Sequence, residues 1–328
     1  LHASTEPAAG TRRHKRVLVP SYSQSGQLAA VVEQIIAPLR ESGEVDIHIE
    51  PLRPLRPYPF PWSITRFFDA FPETALMLPQ PLAPLSLRGD EDFDLIVLPY
   101  QVWFLAPSLP VTSFLKLPVA QQLLAGKPVV TVVACRNMWL LAQEKMKALL
   151  GDAGARLIDH VALIDRGSMF ATFITTPLWM FTGRRHGWFG LPPAGVPDED
   201  IRRARRFGLA LRDALAHDQE RGHEPLLGGL GAAQADPGLL VSERAGTRSF
   251  YLWGQLIHRA GAPGAWQRKP LVILYALLLV ALICTVVPVS ALVQALLRPL
   301  LARRLAVLKT TFEAPSGSNE DRIALYES

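Results

Sequence analysis

Lys15–Arg40 reads KRVLVPSYSQSGQLAAVVEQIIAPLR, and the spacing of its apolar residues decides the fold. Arg16 to Pro20 is a short apolar run that stops at a polar Ser/Gly turn, the pattern of a buried strand. From Gly26 to Arg40, residues Leu28, Val31, Val32, Ile35, Ile36 and Leu39 recur at helical spacing, which predicts an amphipathic helix. Further along, Val45–Glu50 alternates as a strand, while Asp94–Pro99, Pro128–Ala134 and Leu157–Ile164 read as strands of the buried type. Helical patterns fit Ser113–Leu124, Trp139–Leu150 and Asp198–Ala216. The last follows Pro197 and opens on Asp198, Glu199 and Asp200, residues that suit a helix N-terminus. Strands alternating with helices predict an α/β domain over 16–216, a five-stranded parallel sheet with helices on both faces.

Two segments interrupt that rhythm. Residues 51–84 hold nine prolines around Trp62, Phe67, Phe68 and Phe71, with room for one short amphipathic helix. Residues 166–196 include SMFATFITTPLWMFTGRRHGWFGLPPAG, long for a loop inside a compact domain and therefore a candidate for function. Residues 217–248, rich in Gly, Ala and charge, read as a linker; Gly228-Gly229-Leu230-Gly231 follows no strand and is not a nucleotide loop. Residues 1–15 read as a flexible basic N-terminus.

The chain of 328 residues is 49% hydrophobic and 19% charged, which excludes disorder as its main state. Two cysteines, Cys135 and Cys284, exclude a disulfide scaffold and fit a reducing compartment. The net charge of +5 forms no basic stripe with interleaved aromatics, so a nucleic-acid partner is not expected. Pro270–Leu297 runs without a charge, long enough as a helix to exceed the roughly 30 Å hydrocarbon layer of a bilayer. Its flanks are basic: Arg268 and Lys269 before, Arg298, Arg303 and Arg304 after. Residues 249–309 thus read as a membrane-associated helical segment in contact with lipid, followed by a polar tail, 310–328. Pro288 splits the apolar run, so both a single span and a shallow segment returning as an interfacial helix, Ala291–Leu308, fit the pattern.

The chemistry-bearing signal is the turn Ser21-Tyr22-Ser23-Gln24-Ser25-Gly26-Gln27. A hydroxyl-rich loop that opens a helix offers backbone N–H and side-chain O–H donors to a phosphate, or else is a serine-rich helix cap with no ligand. No lysine or arginine lies in it, unlike a Walker loop. No GxSxG elbow, HExxH pair or CxxC couple occurs, no metal site is expected, and Cys135 has no histidine beside it in sequence. A bound redox cofactor would have to supply any difficult chemistry.

YSQSG directly after a first strand resembles the phosphate loop of flavodoxins and flavodoxin-like NAD(P)H oxidoreductases. The resemblance covers about residues 15–216. It implies that Ser21, Ser23, Gln24, Ser25, Gly26 and Gln27 cradle the phosphate of FMN, with NAD(P)H a further candidate. It also implies an aromatic loop of Pro99, Tyr100, Gln101, Trp103 and Phe104 on the flavin ring, and Ala134, Cys135, Arg136, Asn137 and Trp139 around the ring's polar edge. The family often has a second Thr or Ser two residues after the glycine; here that position is Leu28. Tyr100 is the candidate catalytic proton donor or acceptor, and Arg184, Arg185 and His186 the candidate grip for an anionic group of the substrate.

FPWSITRFFDAFPE, PYQVWFLAPS, ACRNMW, the hydrophobic C-terminal segment and FEAPSGS (Phe312–Ser318) together are similar to the bacterial dialkylresorcinol condensing enzymes of dialkylresorcinol and aryl-polyene gene clusters. That resemblance implies a membrane-tethered aromatase in the bacterial inner membrane, its catalytic domain cytoplasmic, acting on a lipophilic cyclic diketone. A ketosynthase and an acyl-carrier protein are the implied partners. An NAD(P)H:quinone-type reductase and a cofactor-free scaffold for those partners are the alternative readings.

Overall fold

A computed structural model describes residues 13–186 and 190–327. The expectation for the basic N-terminus therefore falls largely outside the described residues, as do Gly187, Trp188 and Phe189. In chain order the first elements are β1 (Lys15–Ser21), α1 (Gln27–Glu41), β2 (Val45–Pro51), α2 (Ile64–Asp69), α3 (Phe71–Ala75) and β3 (Leu95–Tyr100). A small hairpin, β4 (Val102–Trp103) and β5 (Ala106–Pro107), precedes α4 (Leu109–Leu115), α5 (Pro118–Leu124), β6 (Pro128–Cys135), α6 (Leu140–Asp152) and β7 (Arg156–Ile164). Then come α7 (Met169–Thr182), α8 (Asp198–Arg203), α9 (Arg205–Ala216), α10 (Leu240–Ala260) and α11 (Lys269–Glu313).

The main sheet has the order β2-β1-β3-β6-β7 with every pair parallel, the doubly wound order of the flavodoxin-like fold. Its two faces follow from strand pleating. Val17, Val19, Leu95, Val97, Val130 and Val132 point into a core with α1 and α9, while Leu18, Ile96, Leu98, Val129 and Val133 point into a second core with α4, α5 and α6. On the first face Gly208 of α9 lies so close to α1 that a Cβ there would sit 2.0 Å from the Ile35 carbonyl oxygen.

Several expectations are corrected. The helix expected over Ser113–Leu124 is two, because Leu117 before Pro118 takes the extended conformation that proline imposes. Asp198–Ala216 likewise divides at Ala204. The loop expected at 166–196 contains α7, capped at its start by the Ser168 side chain and at its end by left-handed Gly183. Residues 217–248 are no linker: Leu226, Leu227, Leu230, Ala232, Ala233 and Ala235 are buried against the two cores, and α10 begins at Leu240. Asp159 on β7 holds the Leu226 and Leu227 N–H groups at 2.7 and 3.1 Å. The polar tail is also part of the domain. Ser316 donates to Asp159 at 2.7 Å and accepts from the His160 N–H at 2.7 Å, and the Ala233 N–H reaches the Gly317 carbonyl.

Helix α10 is joined to α6 by Glu243, a fully buried carboxylate that accepts the Leu140 and Leu141 N–H groups at 3.2 and 2.7 Å. The long helix α11 is fixed at its start by Arg268, whose side chain has no exposed surface and which meets Asp69 at 2.7 Å and Glu73 through both oxygens at 2.9 and 3.0 Å. Beside it Tyr275 stacks on Phe71 and Trp253. The segment Trp266–Val286, mean hydropathy 2.4, is long and apolar enough to cross a membrane.

Replacing Arg268 by Met leaves the buried Glu73 without its guanidinium, with the His258 ring still 3.1 Å away, and is expected to cost about 3 kcal/mol in denaturant unfolding; Arg268→Met with Glu73→Gln should recover part of that loss. Glu243 supplies a pH test. Burial raises its pKa from 4.5 to about 7, against the pull of the two N–H donors and Lys145. The folded chain therefore holds this proton more tightly than the unfolded one, and this group's contribution to stability falls as pH rises from about 4.5 through about 7. Unfolding curves of wild type minus Glu243→Gln should show that fall; a flat difference would refute it.

Candidate functional site

The carboxyl ends of β1, β3, β6 and β7 deliver their following loops to one place, and a cavity of about 190 Å³ lies there. From the β1 loop come Gln24, Ser25 and Gln27, from the β3 loop Gln101, Val102, Trp103 and Phe104, from the end of β6 Ala134, Cys135 and Arg136. The β7 end adds Asp165, and the two insertions close the cavity with Phe60, Trp62, Phe67, Thr176, Trp179 and Met180.

Gly26 caps α1 in the left-handed conformation at φ 84°, which glycine adopts without strain, so the first-turn N–H groups of α1 point out of the helix. Ser23 is spent on that helix: its hydroxyl accepts the Ala29 N–H at 3.2 Å. Gln24 donates to the Pro59 carbonyl at 2.9 Å. Gln27 clasps Val196, donating to its carbonyl at 3.1 Å and accepting its N–H at 3.0 Å, so both insertions are tied to this loop. Leu28 is buried in the core of α1 and offers no hydroxyl.

The β4–β5 hairpin turns through Phe104 and Leu105 at φ 47° and 58°, a two-residue turn that normally selects Asn and Gly. Two large side chains in this region are a local strain at the pocket wall, and the Lys145 ammonium holds the Leu105 carbonyl at 2.9 Å. Trp103 is packed edge-on by Tyr58 at 5.0 Å and Trp62 at 5.6 Å, and Phe104 meets Phe67 at 4.7 Å. The aromatic lining is thus supplied jointly by the β3 loop and the proline-rich insertion.

Arg136 brings a cation to the polar end. Its guanidinium lies 3.8 Å over the Phe173 ring and donates to Thr172 at 2.9 Å. Burial lowers its pKa to about 10 while Asp165 draws it back, so it stays charged at neutral pH. Asp165 receives the Gly167 and Gly195 N–H groups, each at 2.8 Å. A Cβ on Gly195 would meet Gln27 at 2.6 Å and Trp179 at 2.9 Å. The pocket wall also holds Gln101 Oε1 and Thr176 Oγ1, buried without a hydrogen-bond partner, with Asn137 Oδ1 in the same state in the β6 loop.

Nine of the expected site residues line the cavity: Gln24, Ser25, Gln27, Gln101, Trp103, Phe104, Ala134, Cys135 and Arg136. Ser21, Ser23, Gly26, Pro99 and Asn137 support it from the same loops without lining it. The catalytic expectation for Tyr100 is corrected. Its ring points into the second core, and its fully buried hydroxyl donates to Gln143 at 2.7 Å, the head of a chain running through Thr131 to His160. Trp139 is also withdrawn, packed 4.9 Å from the His160 ring. Arg184, Arg185 and His186 do not line the cavity, and Arg185 is committed to Ala194, Val196 and Asp198. Asp165 escaped the sequence reading, although its position one residue after the fifth strand is a strand-end signal.

Cys135 lines the cavity, but burial pushes its thiol pKa well up, with Glu243 adding to the shift. At pH 8 it is expected to react with maleimide at least ~100-fold more slowly than an ordinary cysteine, as read by mass spectrometry of the native chain.

The sequence matches no known family profile and no curated protein. Among solved structures it is similar to a flavodoxin from the domain Archaea, at 14% identity over 62% of this chain and 99% of that one, with a TM-score of 0.35. A flavoprotein from Lactobacillus acidophilus NCFM in complex with FMN is 14% identical over 45% and 93%, TM-score 0.37. A flavone reductase is 12% identical over 66% and 68%, TM-score 0.36. At these scores the likeness adds no weight to a fold that the strand order already assigns.

Proposed function

We propose that this chain is an FMN-dependent oxidoreductase, held at a membrane, that oxidises a lipophilic ring. The observation that carries the reading is the convergence of three strand-end loops on a cavity with a helix N-terminus at one end, aromatic walls, and buried polar atoms lacking partners. The donor set suits FMN. Ser25 and the first-turn N–H groups of α1 that Ser23 leaves open would hold the phosphate, with Trp103 and Phe104 beside the ring and Gln101, Thr176 and Arg136 at its polar atoms. When bound, FMN supplies the two-electron oxidising centre that aromatisation requires.

The finer reading is aromatisation of a polyketide-derived cyclic diketone in dialkylresorcinol or aryl-polyene biosynthesis, the diketone delivered by a ketosynthase. Removing two hydrogens from such a ring would need an acceptor for a hydride, which bound FMN would supply, and a base for the proton. Asp165 is the carboxylate among the lining residues and the proposed base. The aromatic cover excludes water and matches an apolar substrate that partitions into lipid. NAD(P)H, in the reductive direction, would use the same face.

One observation favours a second reading, a cofactor-free scaffold for ketosynthase or acyl-carrier partners. The cavity of about 190 Å³ is smaller than the roughly 300 Å³ at which ligand pockets begin. On the first reading Trp62, Phe67 and Trp179 must move out as the ring enters. FMN titration of the detergent-solubilised protein separates the two. Saturable flavin binding, weakened about 10-fold or more by Gly26→Asp with folding intact, supports the oxidoreductase. A folded chain that takes up no flavin at any concentration overturns it. If flavin binds, Asp165→Asn should retain it and slow oxidation of cyclic diketones.

A further inference from the structure

Both ends of α11 are built into the same domain. At its start Arg268 is buried with Asp69 and Glu73, and Tyr275 is sealed between Phe71 and Trp253. At its end Phe312 and Glu313 are buried, and Glu313 accepts the Ala235 N–H at 3.0 Å. Beyond it, Ser316 is bonded to Asp159 and His160, and the Arg322 N–H reaches the Gly229 carbonyl at 2.8 Å. Between these anchors Leu277, Leu296, Leu300 and Val307 are turned to solvent, 66%, 70%, 82% and 68% exposed.

The two anchors belong to one connected part of the domain. Trp253 and Leu240 are 13 residues apart on α10, about 20 Å, and the five residues back to Ala235 add at most about 17 Å. Two side-chain contacts complete this path. The 38 residues from Tyr275 to Glu313 would span about 57 Å as a straight helix. One helix of that length joins the two anchors on the same side of the domain, and its interior prolines, Pro288 and Pro299, are the positions where it can bend.

We infer that α11 enters the bilayer from the domain's side and ends on that same side, so that the domain and the tail share one face: the chain is monotopic. This rests on the membrane attachment of the proposed function and goes beyond it by fixing the topology. A single crossing would put Phe312–Tyr326 opposite the domain and break every contact between the tail and β7. It would also send one basic flank across, whereas a returning helix keeps Lys269 at one end and Arg303, Arg304 and Lys309 at the other on the same side, as the positive-inside rule favours. The partner is a leaflet with anionic headgroups, met by these cations and by Trp266, 74% exposed at the entry point.

The test uses the full chain with Cys135→Ser and Cys284→Ser, in membranes of the expressing bacterium, in two steps. Flotation after a high-salt wash reads membrane attachment; a chain left in the soluble fraction overturns attachment and the topology with it. Single reporters Glu33→Cys on the domain and Asp321→Cys on the tail, both exposed, are then labelled with an impermeant maleimide in right-side-out and inverted vesicles. Labelling of both from one orientation is expected. Labelling from opposite orientations, with flotation intact, overturns the monotopic arrangement while leaving attachment standing.

Discussion

A guanidinium with no exposed surface has to find its counter-charges in the protein, and Arg268 finds them in Asp69 and Glu73 of the proline-rich insertion. That requirement couples parts of the chain two hundred residues apart. The insertion cannot pack elsewhere without stranding the charge, and α11 cannot leave without taking the guanidinium from the buried Glu73. The same insertion carries Trp62 and Phe67 into the cavity, so the cover of the site and the root of the apolar helix form one unit. A lipophilic molecule arriving along α11 would meet the aromatic cover at that root.

The fold was legible because its signals are local. The six apolar positions of α1 and the largely apolar strands β3 and β6 announce a sheet buried on both faces, and alternation with helices makes its strands parallel. The site was half legible for the same reason: loops at strand ends could be located by counting. Side-chain direction was not. Tyr100 and Gln101 are neighbours, yet strand pleating sends the first into the core and leaves the second at the cavity. The residues contributed by α7 were hidden because nothing in SMFATFITTPLWMF distinguishes a helix over a pocket from a long apolar loop.

The segment 217–248 shows a different blind spot. Its glycines, alanines and charges have the composition of a flexible connector, but small residues also let a backbone lie flat against a sheet. Here Asp159 accepts two of its N–H groups, and burial raises that carboxyl's pKa to about 6 while those donors and Ser316 pull it down. A single buried acid thus organises two segments that composition alone would leave loose.

Ser316 and the Ala232 carbonyl have one more effect. They occupy the His160 and Ala162 N–H groups on the outer side of β7, the edge where another strand could add. Ser316, the residue that completes this closure, lies beyond α11. The Ala232 contact precedes α11 in the chain and the Ser316 contact follows it, so the edge is fully shut only after the apolar helix has been made. A chain that lost Ser316 would keep its apolar helix beside a β-edge whose His160 N–H is open to another strand.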